Sequence, residues 1–425
     1  MKICMMTNTY LPHVGGVARS VETFTHGYCE RSHPTLVVAP TFAGAQTDQP
    51  GVIRMPAIQN FNGSDFSVRL PVPAQLKEKL DDFKPEIIHS HHPFLMGDTA
   101  LRVSRARELP LVFTHHTLYE RYTHYVPFDS ESMQRLAVQL ATAYANMCSL
   151  AIAPSESIAE LMQQRGVRTR IEVVPTGIDI DAFRSGNRVR GRERWGLPDS
   201  AFVIGHVGRL AYEKNLIYLA EAVAKSLENR EDAWFLIVGE GAAQNRMREF
   251  FRAQDVSGRV IFTGKISGDE LYDAYSAMDL FVFASMTETQ GMVLAEAMAA
   301  NLPVVALDAP GAREVVTDDH NGRLLEADAE PQRFSTVLSE LLDDPETCSR
   351  MAGNAAETAQ LLTHDRSIDR MLELYSQLRD PEQRSNAAGS ADSWDRFLSR
   401  LEAEWDLVSE KMKALSASFF TSRDS

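Results

Sequence analysis

The chain has 425 residues, 44% of them hydrophobic and 24% charged, which is ordinary for a globular protein and too long for one core, so two domains and an appendage are expected. A net charge of −15 argues against a general nucleic-acid binder. No apolar run approaches the ~18 residues of a membrane span, the opening Met1-Lys2-Ile3-Cys4-Met5-Met6 turns polar too soon for a signal peptide, and four scattered cysteines suggest neither a disulfide framework nor a zinc site, so a cytoplasmic protein is expected.

In chain order, Lys2 to Thr7 reads as a strand, followed by a glycine loop through Gly15-Gly16 and a helix from about Val17 to Glu30. Short β-branched runs recur at 35–40, 85–90, 110–114, 149–155 and 171–175, with helical stretches between them, the pattern of a doubly wound sheet. The charged, irregular stretch 187–199 reads as a hinge. Then the pattern restarts with glycine-ended strands at 201–209, 234–241 and 259–264, and further runs at 279–284 and 301–306; Ala309-Pro310-Gly311-Ala312-Arg313-Glu314 is expected to open another helix. The fold class expected is therefore α/β, two tandem Rossmann-like domains facing across a cleft, over 1–190 and 191–380, with a helical tail over 381–425. In that tail Trp394, Phe397, Leu398, Leu401, Trp405, Val408, Met412 and Leu415 mark one apolar helix face, to be covered by the body or by a second subunit of a homo-oligomer. Charge separates the halves: through Arg190 there are 19 Lys and Arg against 18 Asp and Glu, and afterwards 24 against 40, while nine of the twelve histidines precede residue 190.

The most informative local feature is Glu288-Thr289-Gln290-Gly291-Met292-Val293-Leu294-Ala295-Glu296, where a buried strand hands over to a helix beginning near Met292. Glu288 falls in the loop and Glu296 about one turn into the helix, on a face that still reaches the mouth of the sheet. Two glutamates at this spacing are usually solvated surface. Here they lie at a strand's carboxyl end, where open parallel sheets bind ligands. The helix start opened by Gly291 offers free N–H groups to a phosphate. Two carboxylates for hydroxyls and one anion site match the sugar, ribose and diphosphate of a sugar nucleotide.

With this pair, the Gly208-Arg209-Leu210-Ala211-Tyr212-Glu213-Lys214-Asn215 loop and the Gly15-Gly16-Val17 loop, the chain resembles retaining glycosyltransferases of family 4 from Met1 to about Leu378. The resemblance implies a GT-B fold, a metal-independent hexosyltransferase, a donor-binding second domain and an acceptor-binding first one, and a last helix returning to the first domain. Arg209 and Lys214 match the family's diphosphate clamp. Glu288 matches the glutamate that holds the transferred sugar, and Glu296 the one that holds the ribose. Gly16, with Gly15, matches the loop whose backbone approaches the donor. Thr289, Gln290, Gly291, Met292 and Val293 line the same loop, and Phe262, Thr263 and Gly264 the base. Gln290 stands where the family usually has an aromatic, which makes the sugar loop more polar and leaves the sugar open.

Val112-Phe113-Thr114-His115-His116-Thr117 resembles the family's strand-end histidine motif, with His116 as the active histidine orienting the sugar and no nucleophile assigned. His89-Ser90-His91-His92-Pro93 follows another strand end; these histidines line the cleft on this reading, or join His115 or His116 in the metal site of a hydrolase. Tyr119, Tyr122 and Tyr125, with the 92–97 stretch, resemble the branch that contains diacylglycerol glucosyltransferases. That branch points to UDP-glucose and a lipid, with a peripheral contact at the inner face of the membrane, although a front half at only one positive charge suits a small soluble acceptor equally. A sugar-nucleotide epimerase and a pure binder are the other readings.

Overall fold

The computed structural model describes residues 1–12, 15–42, 49–58, 68–69, 74–118 and 131–379. The first lobe is a seven-stranded sheet of β1 (Ile3–Met6), β2 (Thr35–Pro40), β3 (Val52–Met55), β4 (Ile87–Ser90), β5 (Leu111–Thr114), β6 (Leu150–Ala153) and β7 (Ile171–Val173). Its order is β3-β2-β1-β4-β5-β6-β7 and every pairing is parallel. Alternation along each strand builds two cores. Cys4, Met6, Ile88 and Phe113 face one helical layer, and Ile3, Met5, Ile87 and Val112 the other.

The second lobe repeats the plan with β8 (Phe202–Val207), β9 (Ala233–Val238), β10 (Val260–Gly264), β11 (Leu280–Phe283), β12 (Val304–Leu307) and β13 (Gly322–Leu325), ordered β10-β9-β8-β11-β12-β13 and again parallel. Val203, Phe281 and Val304 face one layer; Ile204, Val282 and Val305 face the other. Both sheets reverse strand order beside their first strand, and the loops leaving those carboxyl ends are the ones that carry Gly16, His91, Arg209 and Glu288.

Four expectations need correction. The stretch 187–199 is not a hinge: Arg188–Trp195 is a helix, capped by the Asn187 side chain and ended by Gly196 at φ 64°. It is riveted to the second lobe because Arg192, 3% exposed, donates to the carbonyls of Pro198, Asp199 and Ala201 and pairs with Asp279, while Arg190 pairs with Asp273. The crossing lies instead near residue 177, since Val174 packs in the first lobe and Ile178 in the second. A return crossing runs beside it, with Ile178 N–H donating to Leu362 O at 2.8 Å and His364 N–H to Ile178 O at 3.1 Å.

Secondly, the helix His364–Arg379, placed in the second domain by the 191–380 boundary, packs on the first sheet through Ile368, Met371, Leu374 and Tyr375, which is the return that the family resemblance implied. Thirdly, 309–314 forms isolated turns, because Gly311 at φ 86° breaks any helical run. Fourthly, β3 and β13 were not expected; both are edge strands, each interrupted by an arginine, Arg54 and Arg323, and without the continuous apolar run of the central strands. The expected tail helix over 381–425 and Tyr119, Tyr122 and Tyr125 lie outside the described residues.

Candidate active site

Lys214 and Glu288 meet at the mouth of the second sheet. A 3-10 turn, Tyr212–Lys214, follows β8 and turns Lys214 back over the strand ends, where Nζ lies 2.5 Å from Glu288 Oε1. The two side chains are only 15% and 22% exposed, so solvent screens this pair less than a surface one. Arg209 pairs with Glu213 one turn on. Of the clamp expected from the sequence, Lys214 is thus brought together with the first glutamate, while Arg209 pairs with Glu213.

Gly291 makes this loop possible. It caps the helix Met292–Ala299 at φ 68°, ψ 45°, and a Cβ there would lie 2.8 Å from Gly311 O. A Cβ on Gly311 would in turn lie 2.7 Å from that of Glu288. Two left-handed glycines packed against each other therefore set where Glu288 stands, and the first-turn N–H groups of Met292 and Val293 emerge beside it. Gly291→Ala is expected to lose about 2 kcal/mol of stability and at least tenfold in activity; an unchanged melting temperature would show that the loop tolerates a side chain.

Glu296 is 2% exposed, and both its oxygens are taken. Tyr275 donates its hydroxyl to Oε2 at 2.7 Å, and Arg19 pairs with Oε1. Arg19 belongs to the helix Gly16–Glu30 of the first lobe, so the counter-charge of this buried carboxylate crosses the cleft. Arg19 was not among the sequence candidates; its signal was a cation one turn beyond the loop glycine. Gly16 itself is exposed, with open space where a Cβ would sit and no left-handed backbone, so nothing inside the protein demands glycine there.

The first lobe grips the 289–290 segment directly. Thr289 donates Oγ1–H to His116 O at 3.0 Å, Ser155 donates to Thr289 O at 2.7 Å, and Thr176 N–H donates to Gln290 Oε1 at 2.9 Å. The Gln290 carbonyl oxygen is therefore engaged across the cleft by Thr176. An aromatic ring could not accept that N–H in the same way.

Among the histidines, His116 is partly exposed and its Nε2 lies 2.9 Å from Nδ1 of His91. His89 does not line the cleft: Nδ1 meets Tyr375 Oη at 2.5 Å and Nε2 meets Thr114 Oγ1 at 2.7 Å, so both nitrogens are occupied inside the lobe. His92 Nδ1 accepts from Asn8 N–H at 3.1 Å. His115 turns to the other side, toward Ala141 and Met162. The metal site read from these imidazoles therefore lacks a common focus, and among the described residues no three His, Cys, Asp or Glu are grouped to hold a metal. Burial holds His89 and His92 at about 3 and His115 at about 4, below the ordinary 6.5. Burial, with the neighbouring imidazoles, holds His91 and His116 well below it too, so all five are neutral at pH 7.

Of the expected base lining, Phe262 is also corrected. Its ring sits 4.2 Å under the Arg248 guanidinium in the layer between sheet and helix, which leaves Thr263 and Gly264 at the strand end, Thr263 Oγ1 donating to Gly264 O at 2.8 Å.

Comparison with known proteins agrees with this two-lobed fold. Residues 14–182 match the model of Glycosyltransferase Family 4, and residues 188–358 that of Glycosyl transferases group 1. An alpha-monoglucosyldiacylglycerol synthase of Streptococcus pneumoniae is 27% identical over 76% of this chain and 75% of its own. A GDP-mannose-dependent alpha-mannosyltransferase of Corynebacterium glutamicum is 27% identical over 90% and 91%. The crystal structure of Anabaena HepE in complex with UDP superposes with a TM-score of 0.71 over 88% of this chain and 100% of that one, at 22% identity. With two parallel-sheet lobes, a glutamate loop on the second and a histidine strand end on the first, the chain belongs to the family 4 glycosyltransferases of GT-B fold.

Proposed function

We propose that this glycosyltransferase moves a hexose, glucose from UDP-glucose in the favoured case, to a hydroxyl of a lipid or small soluble acceptor, with retention at the anomeric carbon and without a metal. One observation carries the reading: the Lys214–Glu288 pair and the backbone of His116 are joined through residues 288 and 289 of one loop, so donor-lobe charge and front-lobe histidine face one reaction space. A diphosphate arriving there takes over Lys214 and Arg209, and frees Glu288 to accept hydrogen bonds from sugar hydroxyls. Glu296 holds the ribose through Oε1 once Arg19 of the other lobe gives that oxygen up, with Thr263 and Gly264 beside the base. Gly15 and Gly16 let the diphosphate approach the first lobe closely.

In the reaction the bond between C1 and the phosphate oxygen breaks and the acceptor oxygen bonds C1 from the same face. The acceptor proton passes to the departing phosphate oxygen. Lys214, Arg209 and the N–H groups of Met292 and Val293 stabilise the negative charge that develops there, a task that fixed cations and dipoles perform without a metal. His116, neutral, hydrogen-bonds the sugar near C1.

Curated relatives include proteins named for diacylglycerol and for GDP-mannose, and the Anabaena structure holds UDP, which supports a nucleotide sugar while leaving base and acceptor to experiment. No helix among the described residues is long and apolar enough to cross a membrane, so a lipid acceptor would be met from the surface. The test is to incubate the protein with UDP-glucose or GDP-mannose, with diacylglycerol vesicles or soluble polyols, with and without EDTA, and to follow products by mass spectrometry. Expected is nucleoside diphosphate release matched by an acceptor one hexose heavier, unaffected by EDTA. A new sugar nucleotide without any acceptor product would indicate an epimerase, no turnover a binder, and loss of activity with EDTA a metal enzyme.

A further inference from the structure

Resting on the transferase reading above, we infer that His91 is a positioning residue that fixes the tautomer of His116, so that His116 Nδ1 faces the cleft as a hydrogen-bond donor and not as a base. The 2.9 Å contact joins Nδ1 of His91 to Nε2 of His116, and the two rings lie 5.2 Å apart at 23°, nearly parallel. His91 is also stacked on His89, centroids 4.2 Å apart, and its backbone N–H donates to Met6 O, so it has no freedom to follow its partner. The contact with His91 is the one protein hydrogen bond on the His116 ring among the described residues.

Between two neutral imidazoles one proton occupies such a contact. If His116 Nε2 carried it, His91 Nδ1 would accept, and the proton of His91 would sit on its Nε2. That atom is buried and has no hydrogen-bond partner among the described residues. A buried orphan N–H is among the rarest features of native interiors, rarer than an under-used acceptor. The proton therefore sits on His91 Nδ1, its Nε2 keeps a bare lone pair, and His116 accepts at Nε2 and carries its own proton on Nδ1. Nδ1 is the ring nitrogen that His91 leaves unengaged, and His116 is partly exposed. A donor there suits an oxygen of the sugar or of the departing group. It cannot take the acceptor's proton, which leaves that proton to the phosphate.

The same contact gives His91 a reason to be histidine. A phenylalanine would fill the stack between His89 and His116 and lose the donor; an asparagine can place an amide N–H near the position of Nδ1.

The test is long-range ¹H–¹⁵N spectroscopy on the full chain labelled at histidine nitrogen, with the His116 signals assigned by their loss in His116→Gln. In the parent, His116 Nδ1 is expected to resonate as a protonated nitrogen and Nε2 as an unprotonated one. In His91→Phe the two should exchange character, and kcat should fall about 10- to 100-fold with little change in the donor KM. His91→Asn should restore the parent tautomer and most of the turnover. Protonated Nε2 on His116 in the parent would overturn the proposal, as would a parent-like tautomer in His91→Phe. The spectrum is read without any substrate, so a correct tautomer in a protein that turns over no sugar nucleotide would leave this inference standing and defeat the transferase reading.

Discussion

Lys214→Ala is expected to lower kcat about 100- to 1,000-fold, the loss typical when one fixed donor is withdrawn from charge developing in a transition state. The side chain is only 15% exposed and is held at the strand ends by Glu288. A nucleoside diphosphate leaves with charge that must be neutralised as C1 separates, and with no metal assigned Lys214 and Arg209 are the cations placed by the β8 loop. Arg209 is 49% exposed and paired with Glu213, so it contributes through a longer and better screened path. Removing Lys214 also leaves Glu288 beside the diphosphate without its counter-charge, which opposes binding; the donor KM should rise as well. Folding should lose roughly 1–3 kcal/mol, since a pair only 15% and 22% exposed lies between a surface pair and a buried one and Glu288 is left without its partner. Lys214→Arg keeps the charge while changing its shape and should fall between the two. Initial rates of nucleoside diphosphate release, set beside melting temperatures of the three proteins, check this. A loss of under tenfold at saturating donor, or one confined to the acceptor KM, would remove Lys214 from the leaving-group site.

Strands and ligand loops were legible in the chain because both are written locally. An apolar run such as Leu280-Phe281-Val282-Phe283 announces a strand buried on both faces, and the glutamate and glycine that follow announce a loop at its carboxyl end. Contacts across the cleft were not legible. Arg19 and Glu296 are 277 positions apart, Ser155 and Thr289 134, and each lobe gives only a single polar side chain or backbone group to the contact, which leaves no period in the sequence. The contact of Gln290 was hidden for the same reason: the partner of its Oε1, Thr176 N–H, belongs to the other lobe. The histidines were visible as a group, yet which ring faces the cleft and which is spent inside depends on tyrosines from Gly16–Glu30 and His364–Arg379, helices at opposite ends of the chain, that meet only after folding. Hinge placement failed because charge was read as exposure. In Arg188–Trp195 the arginines are charged and also anchored, each on a carboxylate or a row of carbonyls.

Acidification below pH 6.5 is expected to unfold the first lobe before the second. Burial holds His89 and His92 at about 3 and His115 at about 4 in the first lobe, and His206 at about 4 in the second. Each of these groups is harder to protonate when folded than when unfolded. The stability that their neutral forms contribute is therefore complete above about pH 6.5 and is lost as pH falls toward the folded values. One such histidine withdraws about 1.4 kcal/mol per pH unit across that window. Three in the first lobe withdraw about 4 kcal/mol per unit, and His91 and His116, shifted in the same direction, add to them. His206 alone withdraws about 1.4. Against a total stability of roughly 5–15 kcal/mol, the first lobe should be lost about two units below pH 6.5 while the second persists. The depressed carboxylates Asp232 and Asp273 of the second lobe act only lower, below their ordinary value near 3.8, and do not reverse the order. Hydrogen exchange by mass spectrometry, corrected for the intrinsic pH dependence of amide exchange, resolves the two sheets separately. Protection in β1, β4 and β5 should vanish near pH 4.5 with β8, β9 and β11 still slow. Simultaneous loss, or protection of the first sheet down to pH 4, would mean that water or a rearranged hydrogen-bond network reaches these imidazoles, and with it the tautomer argument for His116 would lose its footing.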